Sequence, residues 1–188
     1  MREYLFRLDN GRPYEPIIIN GCKLELFSLY GTPGPFSAVR APQGHEKFTI
    51  VRDPMKRLLS AYANRVLDPR WRDPNHAELC NTMEIPPDPT VGTFIKNIDS
   101  YRLIPAIKHH TRNQSYFLGS NLRYYDRVFR AERLDDAIAY IEARSGMKID
   151  FPRLKTDGPK VSKSELSQAE INQLEELLAE DYALLSTI

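Results

Sequence analysis

Apolar positions along the chain change their period several times, and each change marks an element. Between Lys47 and Val66 the chain reads KFTIVRDPMKRLLSAYANRV. Phe48-Thr49-Ile50-Val51 is short, apolar and β-branched, the pattern of a buried strand. The period then lengthens. Met55, Leu58, Leu59, Tyr62 and Val66 recur at helical spacing and form one face for the core. Lys56, Ser60 and Asn64 fall on another face, four residues apart, with Arg57 beside them. Asp53 offers a side-chain cap, and Pro54 suits the first helical position, where its missing N–H costs nothing. The spacing predicts a helix from Pro54 to about Asp68-Pro69. Arg52 then stands where strand gives way to helix, and Ser60 lies eight residues on. Free backbone N–H groups and the positive end of the helix dipole meet at this junction, so it suits an anion.

The same reading extends along the chain. Tyr4 to Leu8 reads as a short strand, closed by the turn signal Asp9-Asn10-Gly11. Ile17-Ile18-Ile19 has the fully apolar pattern of a buried parallel strand. It leads into Asn20-Gly21-Cys22-Lys23 and a short helix through Leu24, Phe27 and Leu29. Gly31 to Gly44 reads as a loop, and residues 69–89, with five prolines, as an irregular excursion suited to a lid or acceptor-binding loop. Thr90 is a fair N-cap for a helix carrying Val91, Phe94, Ile95 and Ile98. Arg127 to Arg130 reads as a third core strand. The helix after it carries Leu134, Ile138 and Ile141 and ends at Gly146. Ser167 with Glu170 is a capping box, and Ile171, Leu174, Leu178, Tyr182 and Leu185 make one apolar stripe. Three short strands separated by helices predict an α/β fold in three layers, with a mainly parallel sheet flanked by helices. At 188 residues the chain suits one core, so residues 1–188 are expected to form a single domain.

Charge changes the picture locally rather than globally. A formal net charge of +1 argues against a general nucleic-acid binder. Residues 102–133, however, hold Arg102, Lys108, Arg112, Arg123, Arg127, Arg130 and Arg133 with His109 and His110, while no basic residue follows Lys163. A basic middle suits an anionic ligand, and a solvated surface with scattered ion pairs explains the same charges. Two cysteines, Cys22 and Cys80, make neither a disulfide framework nor a zinc pattern. No run reaches transmembrane length, and the N-terminus lacks a signal peptide's apolar core, so a cytoplasmic location is expected.

The string R-D-P-x-x-R-L-L-S-A-Y, Arg52 to Tyr62, resembles the second nucleotide-binding motif of the carbohydrate sulfotransferases, the branch with the chondroitin, dermatan and heparan enzymes and compact bacterial relatives. The resemblance runs from about Phe48 to the C-terminus and implies the nucleotide-kinase-like sulfotransferase fold. It implies that Arg52 and Ser60 hold the 3′-phosphate of 3′-phosphoadenosine 5′-phosphosulfate. His109-His110-Thr111-Arg112-Asn113-Gln114 is similar to the family's H-x-x-P-Q stretch, with Asn113 in place of the proline. His110 is thereby implied as the base that takes the acceptor's proton, with His109, His45 and Glu46 as rivals. A neutral imidazole suits that task, since its ordinary pKa is about 6.5. The family's phosphate loop is expected at Gly21-Cys22-Lys23, although Lys23 follows the glycine instead of preceding it and no hydroxyl residue opens the helix. A plain turn with a surface lysine reads as well there. One of Lys155, Lys160 and Lys163 is expected to reach a phosphate from the loop before the last helix. The implied chemistry is metal-free sulfuryl transfer to a hydroxyl, on a carbohydrate acceptor. A non-catalytic nucleotide-binding or scaffolding module with a degenerate phosphate loop is the competing reading. A small kinase fits least, because no intact phosphate-loop signature or paired magnesium carboxylates stand out.

Overall fold

The computed structural model describes residues 2–19, 22–26, 34–38, 44–70, 72–148, 150–151 and 158–188. The chain begins with helix α1 (Arg2–Asn10), where the sequence suggested a strand. Local contacts account for the difference. Glu3 and Arg7 pair at 3.0 Å one turn apart, Tyr4 and Phe6 are buried, and Gly11 closes the helix at φ +66°, its N–H donating to Arg7 C=O.

Strands β1 (Ile17–Ile19) and β2 (Cys22–Leu24) form an antiparallel hairpin with Ile18 opposite Lys23. The expectation of a buried parallel strand is therefore corrected, and all three isoleucines are exposed, Ile18 by 71%. Two residues between strands permit only antiparallel pairing, and Asn-Gly is the strongest short hairpin signal. Lys23 and Leu24 consequently lie inside a strand and not in a turn, the Lys23 ammonium 3.0 Å from Glu25, while Phe27 and Leu29 of the expected helix lie outside the described residues. Gly21 lies outside the described residues.

Strand β3 (Phe48–Val51) pairs in parallel with β4 (Arg127–Arg130), Phe48 opposite Arg127 and Val51 opposite Arg130. Side chains of β3 alternate between the faces. On one face Phe48 packs with Phe129 and with Tyr140 of helix α8 (Leu134–Ser145). On the other, Val51 packs with Leu122, Leu184 and Leu185. The result is an α/β fold with a small parallel sheet flanked by helices. Gly146 ends the helix after β4 in the left-handed conformation, as its position in the sequence suggests.

The larger core lies beside the sheet. Helix α2 (Pro54–Tyr62) turns Met55, Leu58, Leu59 and Tyr62 into it, and Val66 follows. They meet Phe94 and Ile95 of α4 (Val91–Lys96), Ile107 of α6 (Pro105–Thr111), and Leu174 of α9 (Gln168–Leu177). Between α2 and α4, the proline-rich stretch contains helix α3 (His76–Thr82). Its His76 and Cys80 are buried, and the His76 ring bonds Pro87 C=O at 2.8 Å, so this part of the stretch is packed structure. Helix α5 (Ile98–Tyr101) joins α4 to α6. The caps at Thr90 and at Ser167 with Glu170 form as the sequence predicts.

Candidate active site

The site grows from the β3–α2 junction. Asp53 Oδ1 accepts the Lys56 N–H at 2.8 Å and caps α2, with Pro54 in the first turn. The backbone at the junction is held from outside as well. Gln114 opens helix α7 (Gln114–Leu118); its Oε1 accepts the Arg52 N–H at 3.0 Å and its Nε2 donates to Arg52 C=O at 2.9 Å. Glu132 Oε1 accepts the Asp53 N–H at 3.2 Å. Burial pushes the Glu132 carboxyl up, but backbone N–H bonds, including that from Asp53, and the charges of Lys56 and Arg52 outweigh it and hold it below its ordinary value.

After Tyr62 the helix loosens into a π-helical turn over Ala63–Leu67, closed by Asp68 N–H on Ala63 C=O at 3.0 Å. Asn64 Nδ2 donates to Ser60 C=O at 2.7 Å and approaches Ser60 Oγ at 3.3 Å, a side chain inserted where the ladder widens. Such turns change the direction of the side chains that follow, and Arg65 lies on this one.

A cleft of about 610 Å³ opens over the junction. Arg52, Arg57, Ser60, Asn64 and Arg65 line it from below, and His109, His110 and Gln114 from α6 and α7. Among the described residues lining it there is no carboxylate. Burial lowers the pKa of Arg65, and that of Arg57 too, where Asp181 works the other way. Arg57 Nη1 donates to Arg112 C=O at 2.5 Å. The His109 ring packs edge-on against His110 and Phe117. Burial, then the charges of Arg112, Arg2, Arg57 and Arg65, hold His109 below its ordinary pKa. Its neutral, proton-accepting form therefore dominates near pH 7.

A second cleft of about 410 Å³ lies on the other side of the same ridge. Arg52 and Ser60 line both clefts. Lys56 joins them here, and Lys160, Ser162 and Lys163 approach from the stretch before α9. Lys163 is also 3.4 Å from Glu175. Lys155 lies outside the described residues.

Of the residues singled out from sequence, Arg52, Ser60, His110 and its rival His109 come together around one cleft, and Lys160 and Lys163 face the adjoining one. Glu46 is engaged elsewhere, in an ion pair with Arg144. Arg65 and Gln114 are cleft residues without a role in the sequence analysis, although Gln114 closes the stretch similar to H-x-x-P-Q. Arg65 stands four residues after Ala61 and eight after Arg57, the helical spacing of one face, and that spacing is the signal that finds it. No helix among the described residues is long and apolar enough to cross a membrane.

The family model described as "Sulfotransferase family" matches residues 32–186. The chain belongs to the sulfotransferase family. Its chemistry is sulfuryl transfer, and the matched region of this sulfotransferase contains every residue named above as lining the two clefts. The hairpin with Lys23 lies ahead of it. Neither the curated proteins nor the solved structures gave a match.

Proposed function

We propose that this sulfotransferase moves a sulfuryl group from 3′-phosphoadenosine 5′-phosphosulfate to a hydroxyl, with a carbohydrate as acceptor. The observation that carries the reading is the shared ridge: Arg52 and Ser60 border both a cleft with Lys160 and Lys163 and a cleft with His109 and His110. Arg52 and Ser60 hold the 3′-phosphate with their side chains, beside α2, with Lys160 and Lys163 adding charge. The 5′ end of the donor extends toward the imidazoles. There the acceptor oxygen attacks sulfur, His110 takes the hydroxyl proton, and the bond between sulfur and the 5′-phosphate oxygen breaks. Arg57 and Arg65 stabilise the charge that develops on the leaving phosphate, the part that Gly21 and Lys23 were expected to play. His109, held neutral by its surroundings, is the alternative base.

Two measurements test this. Calorimetric titration with 3′-phosphoadenosine 5′-phosphate should give saturable binding that Arg52→Ala weakens about tenfold to a hundredfold, the loss of one charge-assisted bond of roughly 1.5–3 kcal/mol. Adenosine 5′-phosphosulfate, which lacks the 3′-phosphate, should be nearly indifferent to that substitution. Incubation with sulfur-labelled donor and a panel of hydroxyl-bearing saccharides should label an acceptor, and His110→Ala should abolish labelling while sparing nucleotide affinity. Binding without transfer to any acceptor would favour the non-catalytic module, and no binding at all would refute the nucleotide assignment.

A further inference from the structure

We infer that Gln114 is a positioning residue for Arg52, an inference that rests on the 3′-phosphate reading above. Its side chain is nearly wholly buried, and both amide atoms are spent on one residue's backbone: Oε1 on the Arg52 N–H at 3.0 Å and Nε2 on the Arg52 C=O at 2.9 Å. A neighbouring strand would make the same two bonds. Here β3 has ended, and a side chain from 62 residues away replaces the missing partner. The two bonds lie on either side of the Arg52 Cα, so they fix the Cα and the Cα–Cβ direction from which the side chain sets out.

Gln114 is itself anchored. Its N–H donates to Asp181 Oδ1 at 2.6 Å, and Asp181 is wholly buried on the last helix, Ala179–Leu185. Leu184 and Leu185 of that helix pack on Val51, the residue before Arg52. The clamp and the strand it extends therefore rest on one element. Gln114 borders the same cleft as Arg52, and one N–H and one lone pair of its amide are spent on the Arg52 backbone. An arginine whose backbone is already held in place loses less conformational freedom when a phosphate arrives, and that saving appears as affinity.

The test is a double-mutant cycle on ligand affinity, with Gln114→Ala, Arg52→Ala and the pair titrated with 3′-phosphoadenosine 5′-phosphate and with adenosine 5′-phosphosulfate. Gln114→Ala should weaken the first ligand about five- to tenfold and the second hardly at all, and the effect should vanish when Arg52 is already alanine, the coupling expected of contacting residues. Gln114→Met keeps the length and neutrality of the side chain and makes neither bond; it should give a loss of the same selectivity and carries the cycle if the alanine variant does not fold. In steady state, the donor KM should rise with kcat at saturating donor nearly kept. Additive losses in the cycle, or equal losses for both ligands, overturn the positioning role alone. Unchanged affinity in Arg52→Ala overturns the 3′-phosphate reading and the positioning role with it, so the two failures are told apart.

Discussion

Arg57→Met removes a half-buried charge and leaves an apolar side chain of similar length. Two interactions are lost. Arg57 donates to Arg112 C=O, and a hydrogen bond from a charged donor contributes roughly 1.5–3 kcal/mol. Its charge also faces buried Asp181, an attraction of at most about 4 kcal/mol at 4 Å and an effective dielectric of 20. Desolvation opposes both, since burial is the largest influence on the guanidinium and methionine does not suffer it. The net expectation is a loss of about 2–4 kcal/mol, at and below the lower part of what breaking a buried pair costs. For a chain of this length that lowers the melting temperature by about 5–15 °C.

The loss should carry a pH signature. Burial raises the Asp181 carboxyl above its ordinary value, while the Gln114 N–H, Arg57 and the Ser115 N–H hold it down. Without Arg57 it rises further. A carboxyl whose folded pKa lies above the unfolded one contributes stability that is fully present below the unfolded value and is lost as pH rises through the folded value. The gap between wild type and Arg57→Met is therefore widest at neutral pH and narrows on acidification. Urea midpoints measured from about pH 8 to 5 should converge toward the acid end. Adding Asp181→Asn to Arg57→Met should recover much of the gap at neutral pH. A gap that stays constant with pH and survives Asp181→Asn would refute the coupling between these two residues.

Three further expectations are simpler to check. Gly119→Ala forces an L-residue to φ +80° and brings its Cβ to 2.9 Å from the Phe36 ring, so chemical denaturation should reveal a loss above about 1 kcal/mol. Thr90→Ala removes the cap on the Thr93 N–H and should cost about 1 kcal/mol, most of it restored by Thr90→Ser. The rate at limiting substrate should fall on the acid side as the imidazoles protonate. If His109 contributes, Arg65→Gln should move that limb to higher pH, because one of the charges holding His109 down is gone.

The β3–α2 unit was legible in the sequence because all its signals agree: the β-branched run, Asp53, Pro54 and the helical spacing of Met55, Leu58, Leu59 and Tyr62. The meeting of His110 with Arg52 and Ser60 was legible only through the family resemblance, since nothing local links α6 to α2. At the N-terminus the reading failed for two reasons. Apolarity alone marks Ile17–Ile19 as buried, while Asn20-Gly21 carries the hairpin signal. In Tyr4–Leu8, a short segment without strong periodicity, an i,i+4 ion pair and a glycine stop decide for helix. Asp181 left a trace that pattern reading overlooked. It stands three residues after Leu178 and four before Leu185, on the apolar stripe, and a carboxylate at a core position calls for a partner.

That carboxylate explains how the cleft can remain so positive. Arg52, Arg57 and Arg65 converge there with two histidines, and burial disfavours the charge on Arg57 and Arg65. An arrangement selected for stability alone would neutralise them with a carboxylate in the cleft wall. The described lining has none, and Asp181 is placed behind it, where it accepts the Gln114 N–H and offsets Arg57 without meeting a ligand. The counter-charge thus supports the scaffold, and the field in the cleft stays available to an anion. Leu184 and Leu185 on the same helix bind the sheet through Val51, so the hydrophobic seal and the counter-charge reach the Arg52 junction from one element. A single helix, far from the junction in sequence, thereby braces the strand that ends at Arg52 and offsets the charge of Arg57.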